Sequence, residues 1–590
     1  MGSAVQLAVN TWNSVTTNIS FPSFNFWGPS RMMPDQISIN EFPFWSFLFG
    51  DLHAHLIAIP FTLLVVGLSL NLVRIGTQRE GNEAQDGISW RSSLLSMGIL
   101  AFSVGSLAAI NTWDYPSYLI FSAAALVLAM YSSLRPNVVS SHTMGQRQFP
   151  QGLGDAVSDH VPHSIPSQPF PVWQFMGKIL PRLALLIGLS YALFAPYHIH
   201  NSGFDVGVHA SEFQTNILHY IGINALFIFL IISFLFKEGA SPLKSFCSYL
   251  CQLVTMRLHS KSAESRTPSD IDSYKKALTI LGVLAVILGY LLASGYITVA
   301  LLFVLTSAAV SLSVYHVARE TTGAPLQLFL LMLLGGGLGL GIAVDLVTVD
   351  NDIDRMNTVF KLGLEAWILL GLFSAMVLPQ LLRRHHSPNN GLILKGAWLA
   401  GLAIVILAAA VFPVLGTRAR LADRFDTEHT GLNGAQFLQT ATYQDPNGEI
   451  DLQWDWDGIQ WLRKNVQGSP VIAEGNTDPH NYRWGSRVSV YTGLPTIIGW
   501  GWHQTQQRPG QQFAIRSRLN QVKTLFSTDD PGQTWEILKE HRVKYIYVGQ
   551  LERLYYPLEG LSKFDKMSET GIKLVYTNPQ VKIYMVTRET

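Results

Sequence analysis

DLVTVDNDIDRMNTVFKLGLEAW, residues 345–367, closes one apolar run and opens another, and four aspartates and one arginine fall within its first eleven residues. The runs on either side, 325–344 and 362–382, each match the roughly 20 apolar residues that a helix needs to cross a bilayer core. Eight more windows of this kind lie near 55–73, 93–111, 117–134, 179–196, 217–236, 276–294, 297–315 and 394–415. The composition agrees: 48% of the 590 residues are hydrophobic, 14% are charged and the net charge is +1. That balance predicts a polytopic α-helical membrane protein of about ten spans. It gives no reason to expect nucleic acid as a partner. Cys247 and Cys251 are the only cysteines. They stand one helical turn apart, which indicates neither a disulfide framework nor a complete tetrahedral zinc site.

The loops divide by charge. One alternate set carries Arg74, Arg79, Arg91, Arg135, Arg147, Lys178, Lys237, Lys244, Arg257, Lys261, Arg319, Arg383, Arg384 and Lys395, whereas the other set is almost free of lysine and arginine. The positive-inside rule puts the basic set in the cytoplasm. Alternation then turns the segment 1–54, the turn NTWDYPS (111–117), the loop 197–215, DNDIDRMN (350–357) and everything after residue 416 outward. An outward amino-terminal segment with no signal-peptide pattern suggests that spans precede Met1 in a longer chain.

Four acidic or histidine-bearing clusters fall on that outer side. GDLHAH (50–55), NTWDYPS, FDVGVHASE (204–212) and DNDIDRMN are predicted to line one cavity. Each also has a plainer reading. Asp51 and Asp114 suit helix caps. His53 and His55, two apart, reach one ligand only from extended chain, and Asp350, Asp352 and Asp354 share a face only in a strand. Arg355 has carboxylates within reach for an ion pair. GGGLGLG (335–341) imitates a nucleotide loop but lies within an apolar run, where small residues serve helix packing.

From Thr417 the pattern becomes that of an α/β domain, 417–590, following a helical membrane domain, 55–416. DWDGIQWLRKN, RLNQVKTLF and TWEILKEH repeat at helical spacing, and PVIAE, VKYIYVG, IKLVYTN and VKIYMV read as strands. Between them EGNTDPHNYRWGSRVSVYTGLPTIIGWGWHQTQQRPG (474–510) is too rich in glycine and proline for regular structure and unusually rich in rings. Trp500 and Trp502 suit sugar stacking or the lipid interface, and Arg487, His503 and Arg508 flank them as partners for an anionic group.

FWGPSRMMPDQISINEFPFWSFLFGDLHAHLIAIPFTLL (26–64), NTWDYPSY (111–118), DRMNTVFKLGLEAW (354–367), GSRVSVYTGLPTIIGWGWH (485–503) and VKYIYVGQLERLYY (543–556) together resemble the uncharacterised bacterial and archaeal family called YYY membrane proteins. That family is distantly similar to the C class of glycosyltransferases, which take sugar from a polyprenyl-phosphate carrier at a membrane's outer face. The resemblance implies a plasma-membrane, multi-pass glycosyltransferase with an extracytoplasmic carboxy-terminal domain. Its implied partners are membrane lipid, a polyprenyl-phosphate sugar donor and a glycan, lipid or protein acceptor.

Transfer of this kind needs a carboxylate to accept a proton or to hold a metal on the phosphate. Asp51, His53 and Asp114 are the expected catalytic residues. Asp350, Asp352, Arg355, Lys361, Arg487, Trp500, Trp502, His503 and Arg508 are the expected substrate-binding residues. Asp51, His55 and Asp350 are the expected ligands of a divalent metal, Mg or Mn. The C class usually carries its leading acid in the first outer loop after the first span, so an upstream portion of the chain would hold it and Asp51 would play a supporting part. A transporter or flippase for a lipid-linked or small anionic substrate, and a noncatalytic membrane scaffold, are the competing readings.

Overall fold

The apolar windows between residues 54 and 411 fold as ten long helices: α1 (Ala54–Gln78), α2 (Asp86–Ile110), α3 (Asp114–Ser133), α4 (Val172–Ala192), α5 (Ile217–Leu258), α6 (Pro268–Ala293), α7 (Ile297–Arg319), α8 (Ala324–Leu346), α9 (Met356–Arg383) and α10 (Gly391–Val411). The computed structural model describes residues 24–50, 52–78, 86–134, 172–200, 207–258, 268–319, 324–350, 352–383, 391–424, 431–508 and 510–588. Among these, eight helices are long and apolar enough to cross a membrane, and the apolar stretches described in α2 and α6 are shorter, Leu94–Ile110 and Thr279–Ala293. The basic stretch expected as a loop after residue 236 instead prolongs α5 to Leu258. Leu243, Phe246, Leu250 and Leu253 continue the apolar spacing of a helix past the end of the span.

The chain divides into two compact units, Met1–Asp423 and Arg424–Thr590. The helix Thr417–Arg424 begins at the first residue after the expected boundary at residue 416.

In the first unit α8 is central, packing on α9, α7, α3 and α1. Its glycines make this possible. A Cβ at Gly337 would lie 2.7 Å from Leu370 Cγ, and one at Gly341 would lie 3.1 Å from Leu302 Cδ1. GGGLGLG is thus a packing stripe inside α8.

At one end of the bundle the connecting segments are stitched together. Strand β1 (Val208–Ala210) pairs antiparallel with β2 (Val347–Val349), joining the loop before α5 to the chain leaving α8. Thr298 donates its hydroxyl to Thr215 O at 2.6 Å. Arg355 is fully buried, donating from Nη1 to Asp345 Oδ1 at 2.6 Å, from Nη2 to Thr215 Oγ1 at 2.8 Å and from Nε to Gln36 Oε1 at 2.6 Å. One guanidinium therefore ties together the amino-terminal segment, the start of α5 and the end of α8. Asp352 caps α9, accepting from the amides of Asn357 and Thr358 at 2.8 Å each.

The second unit is a four-stranded sheet in the order β5-β6-β8-β7, built from β5 (Val471–Ala473), β6 (Val543–Val548), β7 (Ile572–Thr577) and β8 (Lys582–Val586). β5 runs parallel to β6, and the other pairings are antiparallel. Along β6, Ile546 and Val548 face one apolar core and Tyr545 and Tyr547 the other. Helices therefore cover both faces. A hairpin of β3 (Thr442–Asp445) and β4 (Gly448–Asp451) precedes α11 (Leu452–Asn465), and α12 (Arg487–Thr492) and α13 (Gly501–Gln507) follow β5.

Candidate functional site

NTWDYPS turns the chain between α2 and α3 within three residues, and Asp114 is the first residue of α3. It does not cap that helix. Its carboxylate turns inward, 4% exposed, and accepts from Asn111 Nδ2 at 2.9 Å. Facing it from α9 is Glu365, 2% exposed, whose carboxyl lies against Asp114 and Ser117 without a hydrogen bond of good geometry to either. Lys361 stands four residues before Glu365, on the same side of the helix, with Nζ 5.3 Å from the Trp113 ring centroid. His55, at the start of α1, is buried, sits edge-on to Phe360 and places Nε2 3.3 Å from Glu41 Oε2. Ser46 donates to the same Glu41 oxygen at 2.7 Å.

His55, Thr62, Asp114, Lys361 and Glu365, with Ile59, Leu364 and Ile368, enclose a void of about 10 Å³, roughly room for one water. Glu365 is the tenth residue of α9, about 14 Å from its start at 1.5 Å per residue. Two carboxylates, a lysine and an imidazole thus meet inside the bundle, where an unpaired charge is costly and marks function. Ile59 and Ile368 also line a second, apolar cavity of about 570 Å³ between α1, α5, α9 and α10, bordered by Phe47, Leu63, Trp367 and Ile406.

The residues singled out by sequence go to different places. Asp51 lies outside the described residues, as does Asp205 of FDVGVHASE. The His53 ring is 5.6 Å from that of His55, at the edge of the nest. The three alternate aspartates do not share a face, because the strand ends at Val349 and Asp354 takes a positive φ of 51°. Asp350 instead approaches His209 Nε2 at 3.7 Å on the surface, Asp352 is spent capping α9, and Asp354 accepts from Ile37 N at 2.8 Å. Arg355, expected at a phosphate, has its guanidinium filled by Asp345, Thr215 and Gln36.

In the second unit Arg487 is likewise enclosed, with Nε 2.6 Å from Asp455 Oδ2, Nη2 2.8 Å from Glu552 Oε2 and the Tyr547 ring 5.1 Å away. It holds the domain core and presents nothing to a ligand. Trp500, Trp502, His503 and Arg508 lie on and around α13; His503 Nδ1 meets Tyr482 OH at 3.1 Å, and Arg508 donates to Gln504.

Of the expected metal ligands, Asp51 lies outside the described residues and the other two do not meet. His55 faces Glu41 and Phe360 while Asp350 faces Gly207 and His209, and among the described residues no three His, Cys, Asp or Glu side chains are placed to hold a metal ion. The described donors do not fit magnesium or manganese.

Sequence reading missed two members of the nest, Glu365 and Glu41. Glu365 left a signal: it is an acid inside an otherwise apolar helix, four residues from a lysine.

Beside Arg487, Glu474 is buried and accepts from the amides of Val488 and Ser489, at 2.8 and 2.9 Å. Burial pushes its carboxyl up to about 7, against the pull of Arg487 and the two amides. Glu552 is buried too, but Arg487 and the amides of Gly549 and Gly475 outweigh burial and hold it below the usual range. A raised folded-state value for Glu474 stabilises this unit below about pH 4.5, and that stability is lost as pH rises through 7, to a total of about 3 kcal/mol. Amide exchange across residues 485–495 of the full-length protein, corrected for intrinsic rates, is expected to show weakening protection from pH 5 to 8. Glu474→Gln should flatten that trend, and a wild-type trend of the opposite sign would refute the assignment.

The family model described as "Uncharacterized membrane protein (DUF2298)" matches residues 1–370 of this chain. Among curated proteins no match is found. Among solved structures, the chain is similar to an oligosaccharyltransferase of Archaeoglobus fulgidus, described as a complex with Zn and sulfate, at 12% identity and a TM-score of 0.30. The match covers 84% of this chain and 49% of that one, so the chain spans about half the length of that structure.

Proposed function

The chain belongs to the DUF2298 family of uncharacterized membrane proteins, and on that premise we propose that it is an integral membrane glycosyltransferase moving a sugar from a polyprenyl-phosphate carrier to an acceptor at the outer membrane face. One observation carries this reading: the apolar cavity and the carboxylate nest share the walls Ile59 and Ile368. Leu63 and Ile406, which border the cavity, are exposed on the flank of the bundle, where a membrane presents lipid chains. A substrate with a long hydrocarbon tail and a polar head is matched by such a pair. The distribution of lysine and arginine supports the outer face.

In this reading the carrier's chain lies in the apolar cavity and its phosphate meets Lys361 at the edge of the nest. The acceptor's hydroxyl oxygen attacks C1 of the sugar while the bond from C1 to the phosphate oxygen breaks. Its electron pair leaves with the polyprenyl phosphate, which Lys361 stabilises. The hydroxyl proton passes to the Asp114–Glu365 pair, which acts as the general base.

Purified protein incubated with radiolabelled polyprenyl-phosphate sugars and membrane extract should label an acceptor, and Glu365→Gln should abolish labelling. Transfer unchanged in that variant removes the site.

The burial of Glu365 within a spanning helix favours one alternative, a flippase or transporter for the same lipid-linked substrate. In proteoliposomes that reading predicts movement of a fluorescent carrier lipid between leaflets without sugar transfer.

A further inference from the structure

The ring-rich loop of the second unit holds a cluster that the transferase chemistry does not use. Tyr482, Trp500 and His503 form a mutual triangle of rings, with centroids 5.3 Å apart for Tyr482 and Trp500, 5.9 Å for Tyr482 and His503 and 6.4 Å for Trp500 and His503. Tyr482 is 64% exposed at a φ of 59°, a conformation unfavourable for an aromatic residue and seldom kept without a reason. The bond between its hydroxyl and His503 Nδ1, at 3.1 Å, fixes the ring in place.

Polar groups border the rings. Asp478 is exposed, and its carboxylate lies over Gly501, the residue after Trp500, so that a Cβ there would sit 2.9 Å from Oδ1. The turn carrying Asp478 is rigid: its amide donates to Asn476 Oδ1 at 2.8 Å, and Asn476 Nδ2 donates to Gly499 O at 2.7 Å. Gln504 lies beside Gly499, where a Cβ would be 3.0 Å from its Nε2. Beneath the rings Trp500 Nε1 and Ser486 Oγ are buried without a hydrogen-bond partner, and Ser486 is 6% exposed.

We infer that this cluster is a saccharide-binding site. A pyranose has an apolar face of C–H groups and an equatorial rim of hydroxyls. An exposed ring held rigid accepts the face, and a carboxylate, an imidazole and an amide on fixed backbone accept and donate at the rim. Anchoring a ring in advance lowers the ordering cost of binding. The Asp478 carboxylate selects neutral sugars over acidic ones. A lipid-interface belt would also expose aromatic rings, but it would draw Asp478 toward the bilayer, at a cost in free energy.

The site lies wholly within the second unit and is tested by binding, without any transfer reaction, so it stands or falls separately from the transferase reading. The probes are maltotetraose and chitotetraose, added to full-length protein in nanodiscs and followed by saturation-transfer NMR and tryptophan fluorescence. At least one is expected to bind. Trp500→Ala should weaken binding by about tenfold or more, equivalent to roughly 1.4 kcal/mol. Tyr482→Gly should do the same while folding at least as well as wild type, because glycine takes positive φ without strain. Tyr482→Phe, which keeps the ring, should bind more tightly than Tyr482→Gly. Absence of binding to both tetrasaccharides, or wild-type affinity in Tyr482→Gly, overturns the proposal. Nanodiscs of brominated phosphatidylcholine supply the opposing case: quenching that falls in Trp500→Phe puts this face on lipid and overturns it, whereas unchanged quenching agrees with a sugar site.

Discussion

Glu365→Gln is expected to lower sugar transfer by a factor of about a hundred to ten thousand, the range that a positioned proton acceptor contributes. The substitution keeps the shape of a side chain that is 2% exposed and packed among Ile59, Leu364 and Ile368, so the protein should remain folded. Asp114→Asn should have an effect of similar size, since the two carboxyls are read as one proton-handling unit. The double variant should therefore lose little beyond either single one, as happens when residues act together. Lys361→Met should impair transfer through the phosphate, while Glu41→Gln, which reaches the nest only through His55, should have a smaller effect. Transfer at the wild-type rate in both single variants would leave the buried acids as packing curiosities.

Arg355→Met is expected to have the largest effect on stability, about 3 to 5 kcal/mol, because it leaves Asp345 buried and uncompensated. Asp345 Oδ1 also accepts from Thr215 N and Oγ1, at 3.2 and 2.5 Å, but neither neighbour carries charge. The double variant Asp345→Leu with Arg355→Met should recover much of the loss, since apolar residues of similar volume replace buried ion pairs at little cost. Thermal melting of the purified protein in detergent measures both. A single variant that melts with the wild type would mean that Arg355 does not hold this end of the bundle together.

These predictions separate what hydropathy could reveal from what it could not. The windows for α1, α8 and α9 were legible because bilayer thickness dictates a minimum apolar length, whatever the helices pack against. β5, α11 and the three later strands of the second unit were legible through short-range periodicity. The partners of charged residues were not. Asp350, Asp352 and Asp354 look alike in sequence, yet one lies at the surface beside His209, one caps a helix and one holds Ile37 in place. A positive φ at Asp354, which spacing cannot announce, sends them apart.

Arg355 and Arg487 illustrate the same limit. Each could be read as a cation waiting for phosphate, and each is instead enclosed by partners from its own unit: for Arg355 the nearby carboxylate of Asp345 with the distant Thr215 and Gln36, for Arg487 two distant carboxylates. Those two are Asp455 and Glu552, 32 and 65 residues away. Asp114 and Lys361 were legible as chemistry-bearing residues, but the nest required Glu365. A single acid in an apolar run gains meaning only when a second helix sets another acid against it.

The placement of a carrier lipid's polar head beside Asp114 and Glu365 is tested most directly by photocrosslinking. A polyprenyl phosphate bearing a diazirine on its first isoprene unit, irradiated with the protein in nanodiscs and mapped by mass spectrometry, is expected to label α1 near Ile59 and α9 near Ile368. Excess unlabelled polyprenyl phosphate should suppress that labelling. Crosslinks confined to other helices, or labelling that the competitor does not reduce, would contradict the account.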